Sequence, residues 1–182
     1  ELLSTNLDGQ SLDDAFVLRD DDSMISEESY QELCRAFVPK PNDVLLAIVG
    51  ATIGKSALVA GSMGRFHIQR SVAIFRTRAN ELCADFLHLV FQSSSFQSLL
   101  WEQVGYSAQP GIYLGTLQNI RVPTPSIDEQ HELVSLIRPA IATLANLQAE
   151  AQRAIDLLQE RRTALISAAV TGQIDVRGEP RC

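Results

Sequence analysis

A single pattern in the last third of the chain limits the folds open to it more than any other. From about Ile127 to Ala169, apolar or small residues return at alternating steps of three and four: Val134, Ile137, Ile141, Leu144, Ala151, Ile155, Leu158, Leu165 and Ala169. That spacing is the seam of a coiled-coil helix. Gln148 and Arg162 interrupt it, both at the same class of heptad position. At 1.5 Å per residue the helix would reach roughly 60 Å, about twice the width of a small domain. So small a globular body cannot cover its stripe, and another helix is needed. Pro139 is the one flaw. It removes a backbone donor and crowds the carbonyl of Ser135, so a kink or break is expected, leaving a short helix near 127–137 and a longer one from about 139 to 169. Thr171-Gly172 supplies a stop signal.

Ahead of the helix the pattern is mixed. Ser26 is an N-cap for a short helix through Tyr30, Leu33, Cys34 and Phe37, with Glu27 and Glu28 in its first turn. Asp43 to Val49 reads as a buried strand, Ser56–Ala60 as a second, and Phe66–Arg76 as a third. Asn80 is expected to cap a helix through Leu82, Phe86, Leu89 and Val90, broken by Ser93-Ser94-Ser95 before a further turn or two. Ile120–Pro125 reads as a short strand bracketed by proline. Strands and helices without regular βαβ alternation indicate an α+β class. The expected organisation is a small mixed domain over 1–126, a spacer helix over 127–175 and a loose tail over 176–182.

Composition supports a globular chain: of 182 residues, 46% are apolar and 20% charged. No apolar run approaches the ~20 residues needed to span a bilayer, so no membrane role is expected. The start, Glu1-Leu2-Leu3-Ser4, lacks an initiator Met and a signal pattern and reads as an internal cut. Cys34, Cys83 and Cys182 lack paired spacing, which fits neither a disulfide framework nor a zinc site and points to a reducing cytoplasm.

The formal charge of −7 argues against nucleic acid until it is divided. Residues 1–43 carry −8, residues 44–126 carry +3 and residues 127–182 carry −2. Phosphate binding depends on where charge sits, and the middle segment has a positive excess.

Gly50-Ala51-Thr52-Ile53-Gly54-Lys55-Ser56 resembles a P-loop, but its glycines are one residue too close and a strand follows where a helix must start. It reads instead as either a tight hairpin or a loop whose glycines let the backbone approach DNA, with Thr52 and Lys55 meeting phosphates. Arg65-Phe66-His67-Ile68-Gln69-Arg70-Ser71 alternates like a strand. Phe66, Ile68, Val72 and Ile74 share one face with Arg70 among them, and His67, Gln69 and Ser71 share the other. Arg65, His67, Gln69, Arg70 and Ser71 carry side chains that can pair with base edges or phosphates, although an ordinary half-exposed strand accounts for each of them without any DNA contact. Gln109 belongs to a polar turn, Ser107–Leu114, that either shapes a recognition loop or closes the core. His67, His88 and His131 stand too far apart for a metal site, and no hydrolase elbow or cofactor loop is present, so no catalytic residue, metal or cofactor is expected.

Four stretches and a closing run resemble the specificity subunit of type I restriction-modification enzymes. They are Asn42–Leu46 with Val49–Lys55; Gln69–Ala73; Ser107–Gly111; Val122–Pro125 with Asp128–Gln130; and Leu157–Asp175. The resemblance implies a DNA target-recognition domain followed by a spacer helix. Family members hold two such units, each reading half of a bipartite double-stranded DNA target, with their helices paired antiparallel. It also implies methyltransferase subunits as partners and, through them, a restriction subunit. Here the helix-pairing residues would be Val134, Ile137, Ile141, Leu144, Gln148, Ala151, Ile155, Leu158, Arg162 and Leu165, against a second copy or a second half. Asn42 departs from the family, which more often has Gly there. The rival readings are a recognition module of a single-chain restriction-methyltransferase and a coiled-coil scaffold with no DNA role.

Overall fold

The computed structural model describes residues 3–5, 23–61, 65–105 and 110–174. Contacts divide the chain into two compact units, Glu1–Ile137 and Arg138–Cys182. The first is built on the strand β3 (Val44–Ala47), whose four residues are all buried. Its neighbours are β4 (Ser56–Leu58) and β6 (Val72–Phe75), both antiparallel to it. A second sheet has the order β2-β1-β5, from Ser23–Met24, Leu3–Thr5 and Phe66–Ile68. The short strands β1 and β2 were not legible in the sequence. The helix α1 (Glu27–Cys34) packs against β5, while α2 (Ala84–Gln92) packs against β3 and β4 and is followed by α3 (Ser94–Glu102). A single turn, α4 (Leu114–Leu117), precedes the long helix α5 (Ile127–Val170).

The unbroken apolar run of β3 follows from cover on both faces. Val44 and Leu46 enter one cluster with Ile53, Phe91, Phe96 and Leu100, while Leu45 and Ala47 enter another with Ala57, Phe66, Ile68 and Val72. Ahead of β3, Pro41-Asn42 forms a turn closed by the Asp43 N–H on the Lys40 carbonyl at 3.1 Å. Asn42 there has φ 66°, in the left-handed region that glycine and asparagine tolerate. Asparagine thus suits the conformation that this turn requires. Asp43 is buried, and its carboxylate accepts two bonds from Arg76, at 2.8 and 2.7 Å, and one from the Lys40 N–H at 2.7 Å.

Four expectations are corrected. Phe66–Arg76 is not one strand: Gln69–Ser71 forms a turn, with the Val72 N–H on the Gln69 carbonyl at 3.1 Å, and the two halves join different sheets. Asn80 does not cap α2, which begins at Ala84 with Cys83 in the cap position. Ile120–Pro125 is irregular backbone rather than a strand, because Pro123 and Pro125 have no N–H for a ladder. Pro139 does not break the long helix, which is continuous from 127 to 170. The position that loses its donor, Ser135, is exposed, so water can serve its carbonyl.

The first compact unit runs to Ile137, and the opening turns of α5 are tied into it. Gln130 is fully buried; its Oε1 accepts from the Cys83 N–H at 2.8 Å, and its Nε2 donates to the carbonyls of Glu81 at 3.1 Å and Pro125 at 2.8 Å. Ser126 and Glu129 add a reciprocal capping box at the helix start, the Ser126 N–H donating to the Glu129 carboxylate and the Glu129 N–H to the Ser126 hydroxyl. At the other end Gly172, at φ 75°, closes a Schellman cap, with the Gln173 N–H on the Ala168 carbonyl at 2.8 Å. In the second unit the apolar stripe is uncovered, with Leu144 and Leu158 each about two-thirds exposed. No helix among the described residues is long and apolar enough to cross a membrane. The acidic run Asp20-Asp21-Asp22, residues 62–64 and the tail 176–182 lie outside the described residues.

Candidate nucleic-acid interface

Three segments far apart in sequence meet at one end of the β4-β3-β6 sheet. The β3–β4 connection, residues 48–55, leaves the end of β3. The turn Gln69–Ser71 enters β6 beside it, since Ala47 pairs with Val72. The Ile48 N–H donates to the Ser71 carbonyl at 2.8 Å, and the Ile48 carbonyl accepts from the Ile112 N–H at 2.9 Å. The Gly50 N–H donates to the Pro110 carbonyl at 2.9 Å, and Gly111 forms a bridge with Val49. Backbone pairing around Ile48–Gly50 therefore gathers 48–55, 69–71 and 110–112. No sequence period announces it, because the bonds join main chain rather than patterned side chains.

The local backbone explains the two glycines. Gly50 and Gly54 both have φ 89°, a conformation that side chains disfavour. Between them Ile53 is buried as an anchor and Thr52 is half-buried, as is Lys55 directly after Gly54. The Lys55 carbonyl accepts from the Ala47 N–H at 2.8 Å, so its side chain is mounted on paired backbone.

Charge follows the same grouping. No acidic residue occurs between Asp43 and Glu81, nor between Glu102 and Asp128, so all three gathered segments lack carboxylates. Lys55 and Arg70 supply positive charge, and Gln69 and Arg70 are exposed. Positive charge on segments that carry no carboxylate of their own favours phosphate.

Of the residues singled out by sequence, Thr52, Lys55, Gln69, Arg70 and Ser71 come together here. His67 does not. Its ring is buried, with Nδ1 3.0 Å from the Ile68 carbonyl and the Phe37 ring 4.4 Å away. β5 is covered on both faces, so the alternation that should have turned His67 outward turns it into a second interior. Arg65 precedes β5 and is tied to α1, donating to Glu27 at 2.8 Å and lying 4.6 Å over the Tyr30 ring. That hydrogen bond holds the Glu27 carboxyl below its ordinary range and raises the Arg65 guanidinium above its own. Gln109 lies outside the described residues. Tyr113, directly after Ile112, is 85% exposed.

The helix-pairing set is part of a broader surface. Val134, Ile137, Ile141, Leu144, Gln148, Ala151, Ile155, Leu158, Arg162 and Leu165 are half or fully exposed, and so are Leu136, Leu147, Leu157 and Ile166, which the heptad count passed over.

Comparison with known proteins agrees with this architecture. The model of the type I restriction modification DNA specificity domain matches residues 5–155. The type I restriction enzyme EcoBI specificity subunit of Escherichia coli is 29% identical over 150 residues, covering 82% of this chain and 31% of that protein. A solved structure concerned with complex assembly and conformational transition of the type I R-M system superposes with a TM-score of 0.56 at 22% identity, covering 72% of this chain and 31% of that one. The HsdS subunit from Thermoanaerobacter tengcongensis superposes with a TM-score of 0.52 at 18% identity, over 80% of this chain and 36% of that one. The chain belongs to the type I restriction-modification DNA specificity domain family. Its fold is that of the solved type I structures, and it spans about a third of the length of these relatives.

Proposed function

We propose that this chain is the DNA-reading, non-catalytic part of a cytoplasmic type I restriction-modification specificity subunit, and that the end of the β4-β3-β6 sheet reads one half of a bipartite target. The observation that carries this reading is the convergence of three carboxylate-free segments, presenting Thr52, Lys55, Gln69, Arg70 and Ser71, on one backbone-paired platform. Lys55 and Arg70 hold the phosphate backbone, while Gln69 and Gln109 read base edges. The exposed stripe of α5 pairs with the helix of a second unit, in a second copy or a second half, and the helix sets the gap between half-sites. Methyltransferase subunits, and through them the restriction subunit, assemble on it.

Two variants test the division of labour. Lys55→Ala weakens binding to all duplexes alike and lowers the slope of log affinity against log salt by about one. Gln69→Ala shifts sequence preference in a selection from random duplexes with little change in overall affinity. An unchanged salt slope removes the phosphate role of Lys55, and a uniform loss at Gln69 removes its base-reading role. A chain that binds no duplex at low salt is a scaffold and overturns the reading as a whole.

A further inference from the structure

We propose that Gln97, on α3, is a positioning residue that sets the height of the Thr52–Lys55 loop over DNA; the proposal rests on the reading that this loop meets phosphate. Gln97 is half-buried, and its Nε2 spends both hydrogens on backbone: the Gly54 carbonyl at 2.9 Å and the Phe91 carbonyl at 2.6 Å. One amide thus joins the last turn of α2 to the second glycine of the loop, the residue immediately before Lys55. The side-chain oxygen of Gln97 sits where a Cβ on Gly54 would go, so any side chain there would have to displace the Gln97 amide, besides adopting a strained φ of 89°.

The loop is then held from two sides. The Gly54 N–H donates to the Ala47 carbonyl at 3.0 Å, tying it to β3, and the Gly54 carbonyl is tied to α3 through Gln97. α3 is itself anchored by the buried Phe96 and Leu100 on either side of Gln97. A leucine at 97 would keep the bulk of the side chain but leave two partly buried carbonyls without their donor, freeing the loop to shift. A lysine on a shifted loop loses its fixed distance to a phosphate while keeping its charge, so geometry, not net charge, is what Gln97 contributes.

The test compares Gln97→Leu, the milder Gln97→Met, Lys55→Ala and Gln97→Leu/Lys55→Ala in the full chain, by generic duplex affinity across a salt series and by amide hydrogen exchange. Gln97→Leu is expected to lower the salt slope by about one, as Lys55→Ala does, and Lys55→Ala should add nothing in its presence. Exchange at Gly54 and Lys55 should rise roughly tenfold while that of Leu45 and Leu46 in β3 stays unchanged. Additive effects of the two substitutions, or a full salt slope in Gln97→Leu, would overturn the proposal. If Gln97→Leu does not fold, Gln97→Met carries the same expectations. If Lys55→Ala alone leaves the slope intact, the phosphate reading fails, and the exchange at Gly54 still decides whether Gln97 holds the loop: unchanged exchange overturns the positioning role.

Discussion

The two units of this chain treat their apolar residues in opposite ways. In the first, Val44, Leu45, Leu46 and Leu100 are completely buried, and both faces of β3 find cover within the chain. In α5 the one buried residue is a glutamine, Gln130, and it belongs to the first unit. Beyond Ile137, leucines and isoleucines stand in solvent at helical spacing. A core assembled from strands and helices supplies its own partners, whereas a lone helix has no second element to turn to. The first unit therefore carries its stability with it, and the second leaves part of its stabilisation to whatever covers the stripe.

The sharpest way to break this contrast is a pair of truncations. Leu100→Ala should cost about 2–5 kcal/mol in urea unfolding followed through Trp101, the sole tryptophan of the chain. Leu158→Ala should stay within about 0.5 kcal/mol in dilute solution. An equal loss at both sites would mean that the stripe is covered within the chain. The same contrast predicts that Ile155→Asp with Leu158→Asp abolishes concentration-dependent association in sedimentation without lowering the unfolding midpoint of the first unit.

Gln130→Ala should come next, at about 2–3 kcal/mol, because it leaves the Cys83 N–H and the Glu81 and Pro125 carbonyls without partners in a buried site. It sharpens the boundary between the units. If Gln130→Ala were no worse than an exposed helix substitution, the first turns of α5 would belong energetically with the free helix.

The smallest effect concerns pH. The Ser126 hydroxyl and N–H, both donating to Glu129, hold its carboxyl below the ordinary carboxylate range. A depressed carboxyl stabilises the fold above its unfolded value near 4.3, and the contribution is lost as pH falls through the lower folded value. The difference in melting temperature between the natural chain and Glu129→Gln should therefore shrink from pH 6 to pH 3. A difference that grew on acidification would reverse the assigned sign.

Local chemistry explains why some elements were readable and others not. The Ser26 cap, the β3 run, the Ser93 break and the Gly172 stop each act within a few residues, and each stands where its residue types require. The heptad seam was readable because helical geometry repeats regardless of what covers it. The hairpin with two glycines was legible as a turn, but its partners Pro110 and Ser71 were not, since backbone bonds between distant segments leave no trace in side-chain order. Phe66–Ile74 shows the limit most clearly. Its apolar residues do share one cluster, as the alternation implies, yet the chain changes sheets at Gln69–Ser71 on the way.

What the sequence determined by itself was the set of local commitments: a mixed unit, a long striped helix, its stop, and a stretch free of carboxylates. Tertiary structure alone decided which of the candidate residues share a surface. It buried His67 between Phe37 and the strand backbone, tied Arg65 to Glu27, and brought Lys55, Gln69 and Arg70 to one end of a sheet. The reason is physical. Propensity, capping and periodicity are set by near neighbours along the chain, whereas exposure and proximity depend on which distant backbone groups satisfy one another.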